Sequence, residues 1–342
     1  EIAATHAIHP HRTLVGTRQR TMDDDSGSED SEDASDLYVQ FCGGGHVITW
    51  DFQRFNLPPS VDKIEVSGNL DPNDDNYEKL LHLLRTDKRR WSKIDLEGLV
   101  DYGYPNQSSP DFMALLGATV QNTDYYHFSN CFRGAPTFAC LNTGMTKIKG
   151  VFLEAISRIT AEEMQIFSQG LSSASKLDYL AFVQSPIAPD VAHLLNVGLE
   201  RNISLQCVDF MDCRLEPQVL STFLSTLHHS PAMTSLTLYG PEVRSNPVQS
   251  SLRKWLEGSN CKLERLNVSS HILTQPPANE KFPKCTLGNL ERSNTSVHTL
   301  QIQCMMVEPN SVLRGLPNFE RLVSLDLASG TISDLQLLDS LL

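Results

Sequence analysis

The residues of this sequence that could do chemistry stand in small, isolated groups. His228 and His229 adjoin beside Pro231, His6, His9 and His11 recur near the start, and Gly43, Gly44 and Gly45 run together. A phosphate-cradling loop needs Lys-Ser/Thr after its glycines and a helix behind them, and Cys42 to His46 supplies neither. His228-His229 closes a helical run, where positive charge complements the helix dipole, so a surface role is expected rather than metal binding. The three early histidines lie in a stretch with no fixed geometry to offer a metal. There is no H-E-x-x-H, no G-x-S-x-G and no dinucleotide glycine pattern. The sequence thus predicts no catalysis, no metal and no cofactor.

Eight cysteines (42, 131, 140, 207, 213, 261, 285, 304) form no C-x-x-C pair and are expected as reduced, mostly buried thiols. Four N-x-S/T triplets begin at Asn106, Asn202, Asn267 and Asn294. They fit secretion, but such triplets also arise by chance, and the balance predicts a cytoplasmic protein. Ser26 and Ser28 sit in the acidic run 23–33, which suits an acidophilic kinase, or simply a solubilising tail. The chain carries a net charge of −13, and residues 1–36, with nine Asp/Glu against three Arg, hold −6 of it. So polar a segment cannot bury enough surface to offset its ordering entropy and is expected to be disordered. No basic stripe suits a nucleic-acid backbone, and no apolar run of about 18 residues suits a membrane span.

The elements that would position any of these groups are set by a repeat. In Leu177/Leu180/Phe182, Leu205/Val208/Phe210, Met233/Leu236/Leu238 and Leu263/Leu266/Val268 the register Φ-x-x-Φ-x-Φ recurs four times. Extended both ways, the register gives first positions 61, 91, 123, 148, 177, 205, 233, 263, 297 and 322, with an average period of 29. Helical apolar spacing fills most of the gaps and predicts helices over 74–85, 110–119, 161–171, 189–200, 217–227, 247–256, 286–294 and 310–319. Four of these begin at or beside a proline, which suits a first turn whose amides need no partner. The connection after Phe128 offers only a short apolar turn over 138–141. The runs 37–41 and 46–52 around the glycines read as a β-hairpin capping the first rung, over 37–60. The proline-bearing stretch 269–285 reads as a surface loop. Beginning at Glu1 and stopping in an apolar helical run over 334–342, the sequence reads as a piece whose ends continue or pack elsewhere.

A fixed period of this length predicts a solenoid, here from residue 61 to 342. The register resembles the leucine-rich repeat, L-x-x-L-x-L-x-x-N/C-x-L, in its long helix-bearing variety, typified by ribonuclease inhibitor. Only Asn69, Cys131 and Cys213 fill its Asn/Cys position. The resemblance implies an α/β fold of about ten repeats with a parallel sheet on the concave side and helices on the convex side. One rung cannot fold alone, because its own apolar side chains return less than its ordering entropy costs. Strands stack about 4.8 Å apart and helix axes about 8–10 Å apart, so the helix side spreads and the sheet lines the inner arc.

Strand side chains alternate, so the places between the apolar ones turn away from the core. Along the middle of the array these places hold Tyr125, Phe152, Tyr179, Val183, Met211 and Tyr239, with Glu65, Asp95, Glu97, Glu154 and Asp209 nearby. Aromatic and Met side chains left uncovered on a sheet mark an interaction surface. Alternatively, they stack along the ladder and stabilise the sheet. The expected function is a non-catalytic module that binds a partner protein or peptide there. The resemblance also admits a regulator of another enzyme, such as the activators of Ran-type GTPases. A third reading is the sensing or adaptor portion of a larger receptor or ubiquitin ligase.

Overall fold

The structure is a computed structural model that describes residues 38–43, 63–68, 75–97, 109–156, 158–270, 290–304 and 316–327. The expected disorder over 1–36, Ser26 and Ser28, His6, His9 and His11, the second run of the hairpin and the apolar run 334–342 lie outside these residues. So do Asn106 and residues 271–285 of the expected loop. The elements alternate as β1 Tyr38–Gly43, β2 Lys63–Gly68, α1 Asp75–Thr86, β3 Trp91–Glu97, α2 Pro110–Thr119, β4 Thr123–Ser129, α3 Ala135–Gly144, β5 Gly150–Glu154 and α4 Ala161–Ser173. They continue as β6 Tyr179–Val183, α5 Pro189–Arg201, β7 Cys207–Met211, α6 Pro217–His228, β8 Ser235–Tyr239, α7 Asn246–Leu256, β9 Arg265–Ser270, β10 Thr299–Cys304 and β11 Ser324–Leu327.

Among the described residues eleven strands form one sheet in chain order, and every neighbouring pair is parallel. The ten rungs expected from the repeat are all present. The sheet also begins one strand earlier, because Tyr38 pairs with Lys63 and Phe41 with Val66 in the same parallel register. The apolar places of neighbouring rungs fall opposite one another, as in Leu180↔Val208 and Phe182↔Phe210. They join the inner sides of the helices in one continuous core, and each helix from α1 to α7 packs on the next. Through its middle, phenylalanine rings meet in series from Phe112 and Phe128 by Phe132, Phe138, Phe167, Phe182 and Phe210 to Phe223, with centroids 4.7 to 6.2 Å apart.

Each rung also satisfies its neighbour's backbone. Two residues past the last apolar place, Asn130, Ala155, Gln184 and Asp212 take φ of 48 to 52°, and Gly240 takes 154°. There the amides of Asn130, Ala155, Gln184, Asp212 and Gly240 donate to the carbonyls of Glu154, Val183, Met211, Tyr239 and Ser269 on the following strand. Left-handed backbone costs a non-glycine residue roughly 1–2 kcal/mol, which these bonds offset. One residue further, Cys131 donates to the Leu96 carbonyl, Ser185 to those of Leu153 and Val183, and Cys213 to that of Phe182. The place three residues past the last apolar one thus holds a donor in these rungs, whether cysteine or serine fills it.

Two expectations about helices change. After Phe128 the chain forms a full helix, α3, rather than a short turn. Gly134, at φ 82°, turns the backbone into it and a proline stands in its first turn. Conversely, residues 290–294 of the expected helix 286–294 are not helical, and Asn294 instead makes a parallel bridge to Phe319. Within 310–319, the described part holds a single 3-10 turn, Leu316–Asn318.

Small residues let the helices approach. A Cβ on Gly144 would stand 2.1 Å from the Val120 carbonyl oxygen, and one on Gly170 1.9 Å from the Asn142 amide oxygen, whereas a Cβ on Gly117 would meet nothing within 4 Å. Gly144→Ala must therefore push backbone against backbone and is expected to cost about 1–3 kcal/mol. Gly117→Ala, inside α2 and open to solvent, is expected to gain about 0.5–1 kcal/mol. Denaturant midpoints for the pair check both signs. Equal shifts would show that α3 does not sit where the Val120 carbonyl blocks it.

Candidate partner-binding face

The side of the sheet away from the helices carries three rows of side chains, one for each outward place. In the middle row Asp95, His127, Phe152, Ala181, Asp209 and Thr237 pair in register from β3 to β8. In the row beyond it Glu97, Ser129, Glu154, Val183, Met211 and Tyr239 do the same. Ladder spacing thus gathers residues some 140 positions apart into one surface. All eleven candidates fall on it, and Glu65 pairs with Asp95 at its β2 end. Tyr125, Phe152, Tyr179, Met211 and Tyr239 are half-buried, as are Glu65, Asp95 and Glu154, while Glu97 is exposed. Val183 and Asp209 are the exceptions, at 7% and 8% exposure.

The aromatic side chains are tied into the sheet. Tyr179 donates its hydroxyl to Asp209 Oδ2 at 2.9 Å, reaching diagonally across to the next strand past fully buried Ala181. Tyr125 directs its hydroxyl toward both Asp178 carboxylate oxygens at 3.4 Å, and its ring lies over Gly150, where a Cβ would stand 2.2 Å from Cδ1. Gly150 is therefore the flat place that lets Tyr125 lie across β5. Burial raises the pKa of Asp209 above the usual carboxylate value, and the hydrogen bonds from Thr237, Tyr179 and Cys207 only partly offset it. Burial likewise pushes the Cys207 thiol up to about 12, so it is not a nucleophile at neutral pH.

Sequence reasoning gave no role to His127, which stands on β4 between Tyr125 and Ser129. Its Nδ1 lies 3.0 Å from Asp95 Oδ1 and its Nε2 3.0 Å from Glu154 Oε2, with Lys93 Nζ 2.9 Å from the other oxygen of Asp95. The Phe152 ring meets the imidazole edge-on, centroids 4.4 Å apart. The signal was available, because the 29-residue register sets Asp95 and Phe152 on either side of His127.

The N-x-S/T triplets also gain a place. Asn202 and Asn294 are 3% and 1% exposed and sit three residues before an apolar first position. Asn202 Nδ2 donates to the carbonyls of Leu171 and Ala174 while its Oδ1 accepts from the amides of Ser204 and Leu205. Asn294 likewise donates to the Leu256 carbonyl and accepts from the Ser296 and Val297 amides. Both amide nitrogens are thus engaged inside the fold, and Ser204 and Ser296 serve the same corner. Asn267 lies on β9, at a middle outward place. His228 lies beside His229 and Trp255 at the end of α6 with the rings tilted to one another, and burial lowers its pKa.

No protein-family model matches the sequence, and no curated protein matches it. Among the described residues no helix is long and apolar enough to cross a membrane.

Because the folded pKa of Asp209 is raised, the proton is held more tightly in the folded chain, and stability falls as pH climbs from the unfolded value through the folded one. Asp209→Asn keeps an acceptor for Tyr179 but removes the titration. Its stability relative to the parent chain is therefore expected to rise between pH 3 and pH 7. Paired urea melts at the two pH values measure this, and a flat difference would contradict the burial of this carboxyl.

Proposed function

We propose that this chain is a leucine-rich-repeat recognition module of the ribonuclease-inhibitor type that works in the cytoplasm. It binds a partner protein or peptide on the concave face of its sheet and catalyses nothing itself. The Cys131, Ser185 and Cys213 ladder at the Asn/Cys place supports the repeat type. The observation that carries the binding role is the run of half-buried Tyr125, Phe152, Tyr179, Met211 and Tyr239 on one side of the sheet, with Tyr125 tied to Asp178, Tyr179 to Asp209 and Phe152 resting on His127. Aromatic and Met side chains of this kind are interface residues. Fixing them beforehand also lowers the entropy that binding must remove.

A photo-crosslinking amino acid at Met211, compared with one at exposed His193 on α5, tests the reading. The Met211 position is expected to capture a discrete protein that the His193 position does not. That capture should fall at least about tenfold in the double variant Tyr179→Ala/Tyr239→Ala, the loss of roughly 1.4 kcal/mol that one interface anchor supplies. Equal capture from both positions would sink the proposal. So would unchanged capture by a double variant that melts at lower temperature, since the tyrosines would then serve only the sheet.

A further inference from the structure

The two ring nitrogens of His127 each face a carboxylate on a different neighbouring strand. An imidazole has two N–H donors only when protonated. Neutral, it has one donor and turns a lone pair toward the second carboxylate. We propose that Asp95, His127 and Glu154 form a proton-operated clamp across β3, β4 and β5, closed when the ring carries both protons and released at one carboxylate when it loses one.

The surroundings fit that role. From β3 the charged groups on this side are Lys93, Asp95 and Glu97, and from β5 Glu154. On β4 itself Tyr125 also turns to this side, whereas Asp124 pairs with Arg90 and Lys149 and Tyr126 is buried in the core. Lys93 is held by Asp95 Oδ2, which leaves Asp95 Oδ1 to the ring. The side chains of Asp95, His127 and Glu154 are 23%, 25% and 19% exposed. Protons therefore exchange with solvent, yet the pairings escape the full screening of an open surface. Burial by itself would lower the pKa of His127, but the hydrogen bonds and charges of Asp95 and Glu154 outweigh it and raise the value above the ordinary 6.5. For Asp95, burial pulls upward and is outweighed by His127 and Lys93, so its pKa falls below 3.8.

The signs fix the working range. The contribution of His127 is complete below its unfolded value near 6.5 and is lost as pH rises through the higher folded value. That of Asp95 is complete above 3.8 and is lost as pH falls through its lower folded value. The clamp is therefore strongest between these two limits. Phe152 rests against the ring, so opening the clamp frees one of the recognition aromatics and makes the local charge more negative by one. Only this last step rests on the reading of the face as a partner surface, and the test needs no partner.

Long-range nitrogen–proton NMR of the full chain, labelled on histidine nitrogen, reads both ring nitrogens of His127 as pH is raised. At pH 6 both are expected to be protonated, with the change to one proton centred above 6.5. Glu154→Gln should lower the proton affinity of the ring about tenfold, and Asp95→Asn serves if that variant does not fold. In parallel, the stability advantage of the parent chain over His127→Gln is expected to shrink as pH rises from 6 to 9. A single protonated nitrogen at pH 6, a midpoint at or below 6.5, or a midpoint indifferent to both carboxylate changes would overturn the clamp. The crosslinking outcome for the face bears on none of these readings, so the two proposals fail separately.

Discussion

No rung of this solenoid can satisfy its own polar backbone, and that constraint shapes everything else. The amides of Asn130, Ala155, Gln184, Asp212 and Gly240, all at positive φ, each find their acceptor one strand further along. At the other end of the strands the same dependence runs backward. The carbonyls of Lys149, Asp178, Gln206, Thr234, Glu264 and His298 each accept two consecutive amides from the next rung. Buried polar groups left without partners cost about 1–3 kcal/mol each, so a rung is stable only with neighbours at the right height. The apolar register then has little freedom, because a slip of one residue would turn Leu180 outward and Tyr179 inward.

The same register makes the outer face. Helices cover one side of the sheet, so whatever fills the alternate places on the other side must find partners sideways. Tyr179 uses Asp209, Tyr125 uses Asp178, and His127 uses both Asp95 and Glu154. These bonds run across strands, so they add side-chain links to the backbone ladder and fix the positions of aromatic rings that would otherwise sample several rotamers. Asp209 shows the cost of the arrangement. Its burial works against its charge, and three neighbouring donors only partly compensate.

The rungs were legible in the sequence because burial writes an apolar period, and burial is what the Φ-x-x-Φ-x-Φ register records. Features that depend on two distant rungs at once were less legible. Helix α3 was read as a short apolar turn because only Phe138 to Leu141 shows apolar spacing there, behind Gly134 and Pro136, and the structure gives the reason. Gly144 must lie against the Val120 carbonyl and Gly134 must take a positive φ, so the sequence there answers to close approach rather than to amphipathic spacing. Beyond β9 helical spacing misled, since Asn294 is spent on a corner that caps the following strand. Asn202 and Asn294 look like surface acceptor triplets in a linear reading. In three dimensions their amides complete the backbone of two successive rungs.

Among the outward residues, alternation told direction but not exposure. It set Val183 and Asp209 on the face, yet both are nearly removed from solvent. Each outward side chain stands some 4.8 Å from the next, closer than a tyrosine is long, so a large residue at one place shields a smaller one beside it. Ala181, fully buried on the outward side, lies where the Tyr179 hydroxyl crosses to Asp209. A face built this way is read by its larger members. Tyr125, Phe152, Tyr179, Met211 and Tyr239 meet the solvent, and the small and acidic places between them decide how those side chains are held.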